Sequence, residues 1–184
     1  MTYSARIDEA LRFAARMHDG QRRKGTDIPY IVHPVAVGLM LQRFGFDDDV
    51  VAAGILHDVL EDTDCTLDEL RARFGAHVAE WVRAVSEPDK SLSWEVRKQQ
   101  AVERMRTMSF EAKAIACADK AHNLHTIADA LALGEVDVWA RFHRGRDLQL
   151  GYHRAAVAAL SVAFAHPIVS EVLRALERVD NGAR

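Results

Sequence analysis

The stretch Ile55-Leu56-His57-Asp58-Val59-Leu60-Glu61-Asp62-Thr63 sets an imidazole and three carboxylates among apolar residues. At about 100° per helical residue, His57, Asp58, Glu61 and Asp62 share one arc of about 140°, opposite Ala52, Leu56, Val59 and Leu60. A helix of this pattern buries its apolar side and turns the polar groups away. Carboxylates so close repel one another, and a cation offsets the repulsion. The adjacent imidazole points to a metal ion. Acids at a helix C-terminus also oppose the helix dipole, so helix stability does not account for them. A solvated acidic patch has the same composition, and the stretch alone leaves both readings open.

Further candidates lie elsewhere in the chain. His33 precedes Pro34, a residue suited to a first helical turn, where the imidazole can cap the helix or act as a ligand. Asp119 and Asn123 are four residues apart and share a helix face. An acid on such a largely apolar face is costly unless it is paired or bound to metal. Arg22-Arg23-Lys24, in the Gly-, Pro- and Asp-containing loop 19–30, is the densest positive charge. It is either a solvated surface or a contact for phosphate or base.

The elements that position these groups are expected to be helices. The pattern predicts helices over 5–17 (N-cap Ser4), 35–44, 50–61 (capped by Asp47 or Asp48) and 67–74, the last opened by a Thr66–Glu69 capping box and stopped by Gly75. It continues with 76–85, 94–108, 110–133 (capped by Ser109), 139–142, 148–165 and 168–179, then a frayed tail from Asn181. No segment alternates as a strand. The expected fold is all-α, a single domain over 1–184 with roughly eight to ten helices, its motifs within about 5–130 and C-terminal helices over about 135–180.

Bulk properties narrow the function. A net charge of −3 supplies no basic field for nucleic acid, so an anionic substrate needs a locally built positive site. Cys65 and Cys117 form no C-x-x-C pair and suit free thiols in a reducing compartment. No apolar run reaches the 18 residues of a membrane span, and the start lacks a signal-peptide core. A cytoplasmic protein with no membrane partner is expected.

In order, His33, His57-Asp58, Glu61-Asp62 and Asp119 resemble the H…HD…D pattern of the HD superfamily of metal-dependent phosphohydrolases. The finer resemblance is to the hydrolase domain of the RelA/SpoT proteins and to stand-alone small alarmone hydrolases. It is carried by residues 18–24, Pro29-Tyr30-Ile31-Val32-His33-Pro34, residues 53–63, residues 66–70, Phe74-Gly75 and Ala118-Asp119-Lys120-Ala121-His122-Asn123-Leu124. Asp89-Lys90-Ser91-Leu92 and Arg97-Lys98 also look like the family. A bare HD pair is unspecific, whereas all of these in order are specific.

The resemblance implies an HD-domain helical bundle with one metal ion on His33, His57, Asp58 and Asp119. Manganese is usual, and Fe²⁺ or Zn²⁺ also suits a mixed nitrogen and oxygen site. It further implies that Glu61 and Asp62 serve the attacking water, that Arg23 and Lys24 lie near the guanine and phosphates, and that Asn123 helps bind the nucleotide. The implied activity removes the 3′-diphosphate of guanosine 3′-diphosphate 5′-di(tri)phosphate, (p)ppGpp, giving GDP or GTP and pyrophosphate. With no length for a synthetase domain, the chain is expected to degrade this nucleotide and not make it. Two alternatives are an HD phosphohydrolase for another nucleotide or phosphoester, and a catalytically silent nucleotide sensor. His125, where the family often has Arg, and Ala121, where Leu is common, could alter substrate contacts. Arg141, Arg144, Arg146 and Tyr152 can either approach the nucleotide or lie on a helix surface. The expected partner is a small guanine nucleotide; the sequence leaves open whether the chain forms a homo-oligomer.

Overall fold

The computed structural model describes residues 3–87, 91–134, 138–142 and 144–182. The resembling pair Asp89-Lys90 lies outside them. Among the described residues the helices are α1 (Ala5–Met17), α2 (Val32–Arg43), α3 (Asp48–Leu56), α4 (Val59–Asp62), α5 (Leu67–Val85), α6 (Trp94–Thr107), α7 (Phe110–Ala132), α8 (Gly145–Leu160) and α9 (Pro167–Gly182), with a 3-10 turn at Val138–Arg141. The all-α expectation holds. The β-type pairing among these residues is an isolated bridge between Arg22 and Pro29.

Side-chain oxygens start the helices. Ser4, Asp47, Thr66, Ser93 and Ser109 each accept from the backbone N–H three residues on, satisfying a donor that the first turn leaves unpaired. At Thr66 the box is half formed, because the Glu69 carboxylate pairs with Arg73 at 3.3 Å. Gly75 breaks α5 as expected, with φ 76° and ψ 169°, a conformation open to glycine.

Four boundaries differ from the pattern. Residues 50–61 are two helices, α3 and α4, separated at His57-Asp58. The His57 Nδ1 bonds the Gly54 carbonyl at 2.8 Å, the carbonyl that a continuing helix offers to the Asp58 N–H. The second helix begins earlier than 35, so His33 sits inside its first turn. Helix α8 ends at Leu160 and not near 165, where the buried Lys113 ammonium donates to the Val162 carbonyl at 2.5 Å. Asn181 and Gly182 belong to α9, and Gly182 lies against Leu131.

The buried apolar side chains form one contiguous core. Helix α7 runs through it, buried without interruption from Ala112 to Ala118, and packs on α2, α3, α5, α8 and α9. Helices α2 and α3, which carry His33 and His57, approach closely through glycines. A Cβ on Gly38 would lie 2.5 Å from Ile55 Cγ1, and one on Gly54 would lie 2.3 Å from Leu41 Cδ1. Gly38→Ala is therefore expected to destabilise the protein by about 1–2 kcal/mol, overpacking less the gain in helix propensity. The measurement is a lower urea midpoint with an unchanged slope. Among the described residues, no helix is long and apolar enough to cross a membrane.

Candidate active site

The break between α3 and α4 turns His57 inward, where it meets His33 from α2 and Asp119 from α7. His33 Nε2 lies 3.2 Å from His57 Nε2, 3.2 Å from Asp119 Oδ1 and 3.6 Å from Asp58 Oδ2. His57 Nε2 lies 2.9 Å from Asp58 Oδ2 and 3.8 Å from Asp119 Oδ1. Both imidazoles are buried, whereas the carboxylates keep a slight opening to solvent.

The tautomers follow from the partners. The Gly54 carbonyl only accepts, so His57 donates from Nδ1 and presents a lone pair at Nε2. That lone pair faces a carboxylate oxygen and a second ring nitrogen. Such a convergence needs a proton or a cation between its members. Without a cation the proton goes to His57: burial opposes its charge, but Asp58 first, then Asp119 and the Gly54 carbonyl, raise it to about 9. Burial lowers His33. Burial opposes the charge of Asp58, yet the adjoining His57 holds it well below the usual carboxylate range. One donor atom from each of His33, His57 and Asp58 lies within 4.8 Å of the others, so the three could hold a divalent ion, with Asp119 beside them. Two imidazole nitrogens with carboxylate oxygens suit such an ion.

The neighbours of these residues are themselves fixed. The Tyr30 hydroxyl donates to Asp58 Oδ2 at 2.6 Å and lies 3.4 Å from Asp62 Oδ2. Burial and then Asp58 raise it far enough that it remains a donor. The Lys120 ammonium donates to Asp119 Oδ2 and the Asn123 amide to Asp119 Oδ1, each at 2.6 Å. His33 Nδ1 meets His122 Nδ1 at 2.8 Å. Burial, then His33 and Arg23, lower His122 to about 4.

Glu61 and Asp62 line the same cleft, about 210 Å³. Glu61 Oε2 accepts from the Glu87 N–H at 3.0 Å, and burial raises its carboxyl. The Glu87 carboxylate in turn holds Arg97 and Lys98. Arg23 donates to Asn123 Oδ1 at 2.7 Å and stands 5.5 Å from the Tyr30 ring centre, which joins the 19–30 loop to α7. Lys24 is brought elsewhere: it is exposed, lines a second cavity of about 520 Å³, and lies 5.8 Å from the Phe142 ring centre.

The two departures fall away from the cleft. His125 bonds Glu171 and Arg178 on α9, each at 2.8 Å, and Ala121 is fully buried. Of the four C-terminal candidates, Tyr152 and Arg141 line the larger cavity, while Arg144 pairs with Glu95 and Arg146 with Asp147 at the surface. Helical spacing does not reveal Lys120 as the partner of Asp119, since adjacent residues diverge by about 100°. Tyr30 and Glu87 sit in loops, where periodicity carries no signal; the phenol inside Pro29-Tyr30-Ile31-Val32-His33-Pro34 was the clue available for Tyr30.

Comparison with known proteins gives consistent matches. A family model described as HD domain matches residues 10–147. The guanosine-3′,5′-bis(diphosphate) 3′-pyrophosphohydrolase of Danio rerio is 43% identical over 122 residues, 65% of this chain and 67% of that one. Its Homo sapiens counterpart is 44% identical over 127 residues, 67% and 70% of the two chains. A solved structure described as a metazoan ortholog of SpoT that hydrolyses ppGpp aligns with a TM-score of 0.81 at 31% identity, over 97% of both chains. A Listeria monocytogenes EGD-e crystal structure aligns with a TM-score of 0.75 at 38% identity, over 81% of this chain and 99% of that one.

Proposed function

Because the chain belongs to the HD domain family, we propose that it is a metal-dependent pyrophosphohydrolase that removes the 3′-diphosphate of (p)ppGpp, giving GDP or GTP and pyrophosphate. The observation that carries this reading is the convergence of His33, His57, Asp58 and Asp119 beside Glu61 and Asp62 in one cleft. His33, His57, Asp58 and Asp119 are the residues to hold one divalent ion, with Mn²⁺ as the proposed metal. Such an ion supplies Lewis acidity at a phosphoryl oxygen and acidifies its water. Lys120 holds Asp119 on its outer oxygen, Oδ2, and Tyr30 holds Asp58 on Oδ2, the oxygen that also faces the imidazoles, so both carboxylates are kept in place. Glu61, whose carboxyl burial raises above its ordinary value, is suited to exchange a proton with the water, and Asp62 to orient it. Arg23, Lys24 and Asn123 are the proposed nucleotide contacts. Arg23 and Asn123 are preorganised by their mutual bond, and Lys24 meets the part that enters the larger cavity. Residues 1–184 are proposed to act as one such unit in the cytoplasm, where both cysteines remain free thiols.

The direct test incubates the Mn²⁺-loaded protein with ppGpp and measures GDP and pyrophosphate. Metal bound with no GDP formed rejects the reading. Proton competition gives a second expectation. The site without metal holds a proton at His57 below about pH 9, and a metal must displace it. Apparent metal affinity should therefore fall about tenfold per pH unit between pH 8 and pH 6, with about one proton released on binding. Chelator competition at three pH values, with calorimetry in two buffers, measures both.

A further inference from the structure

Helix α4 is one turn long, so its own backbone bonds cannot fix it, and its place depends on groups outside it. Two side chains close its C-terminal end. The Thr63 hydroxyl donates to the Val59 carbonyl at 2.6 Å. The Gln21 amide nitrogen donates to the Asp62 carbonyl at 2.8 Å, from a loop 41 residues earlier in the chain. A carbonyl that the helix end leaves without an intrahelical donor thus gains one.

Gln21 is itself fixed. Because the Asp62 carbonyl only accepts, the amide presents its nitrogen there and its oxygen to His18. His18 Nδ1 donates to that oxygen at 2.8 Å, and His18 is buried. The Gln21 backbone N–H closes a turn onto the His18 carbonyl at 3.1 Å, and the Gln21 carbonyl accepts from the Tyr30 N–H at 3.0 Å. The Tyr30 ring centre lies 4.9 Å from that of His18, and its hydroxyl lies 3.4 Å from Asp62 Oδ2. Asp62 is therefore met at two points by one unit, with Gln21 at its carbonyl and Tyr30 near its carboxylate. Neither His18 nor Gln21 lines the cleft or the larger cavity.

Resting on the proposed function, in which Asp62 orients the water, we propose that Gln21 is a positioning residue for the hydrolysis: its amide, aligned by His18, sets the end of α4 and with it the place of the Asp62 carboxylate. The bond holds the backbone of the same residue whose side chain faces the cleft, so a shift of the carbonyl moves the carboxylate. A misplacement of about 1 Å at a reacting group costs about 10²-fold in rate. The metal set is held by other bonds, His57 by the Gly54 carbonyl, Asp58 by Tyr30 and Asp119 by Lys120. Loss of the Gln21 amide therefore falls on turnover and leaves metal content and substrate affinity in place.

Gln21→Met keeps the length of the side chain, removes the donor and leaves the backbone bond to Tyr30 in place. In the Mn²⁺-loaded protein it should lower kcat for ppGpp by about 10- to 100-fold, with KM and bound metal within about twofold of the wild type. Tm should fall by about 2–4 °C for the lost bond. In an Asp62→Asn background the same substitution should change the single-turnover rate by less than about twofold, because the group it positions is already gone, whereas a general loosening of the fold multiplies the two losses. His18→Leu should lower kcat by a smaller factor, and His18→Asn, which keeps an N–H donor near the place of Nδ1, should recover most of it. Backbone N–H exchange over residues 59–62 should quicken in Gln21→Met while exchange over α3 stays as in the wild type. An unchanged kcat, a change confined to KM, losses that multiply with Asp62→Asn, or unaltered exchange over residues 59–62 overturns the proposal. If the wild type forms no GDP from ppGpp, the functional reading falls, and the exchange measurement still decides whether Gln21 sets α4.

Discussion

Asp62→Asn is expected to lower kcat by about two to four orders of magnitude while one divalent ion per chain stays bound. The substitution keeps the shape of the side chain and removes its charge. The Gln21 side-chain amide donates to the Asp62 backbone carbonyl at 2.8 Å, a bond that does not involve the Asp62 side chain and survives. The Asp58, His33 and His57 contacts also survive, because Tyr30 donates mainly to Asp58, at 2.6 Å against 3.4 Å to Asp62. What is lost is the negative charge proposed to orient the water. Metal analysis, steady-state kinetics and thermal unfolding on one preparation separate the possibilities. Full activity with metal bound shows that Asp62 does not serve the water, and loss of metal shows that it acts as a ligand or supports one.

The contrast between Asp62 and its neighbour sharpens this expectation. Glu61 is tied to the Glu87 N–H and so to the segment that also positions Arg97 and Lys98. Removing its charge disturbs that segment as well as the proposed handling of water, so Glu61→Gln has two expected effects in one substitution.

Much of this arrangement is legible in the sequence, and the part that is not has physical causes. Helix α1 matches its expected bounds because Ser4 caps it and its apolar residues recur at helical spacing. Asp119 and Asn123 meet as their four-residue separation requires, at 2.6 Å. The break at His57-Asp58 is invisible to periodicity, since apolar residues continue on both sides and the competing bond comes from a side chain. The end of α8 depends on Lys113, a residue of another helix. No local pattern encodes it. The single arc of polar groups expected for a straight helix is replaced by a turn, which buries His57 and leaves Glu61 and Asp62 on α4 at the cleft. The turn therefore divides the stretch spatially into an inner pair and an outer pair.

Asp119→Ala is expected to abolish both metal binding and turnover and to lower stability by about 3–5 kcal/mol. The stability effect comes from Lys120. Its side chain is 15% exposed, and its ammonium pairs with the Asp119 carboxylate at 2.6 Å. Burial opposes the charge of Lys120, but Asp119 outweighs it and holds the ammonium protonated; reciprocally, Lys120 holds Asp119 well below the usual carboxylate range against burial. Removing the carboxylate leaves a buried cation whose desolvation is no longer offset. It also removes the carboxylate oxygen that accepts from the Asn123 amide and faces His33 Nε2. The depressed carboxyl contributes stability above its unfolded pKa, and that contribution disappears as pH falls through the folded value. The loss on substitution should therefore be full at pH 7 and shrink in strong acid. Adding Lys120→Met to Asp119→Ala removes the stranded charge while filling the same space. The double variant should regain about half of the lost stability and none of the activity. Urea unfolding of the two variants and the wild type without metal makes the comparison. Equal stabilities for the single and double variants show that the pair is solvated, and metal binding by either variant removes Asp119 from the proposed ligand set.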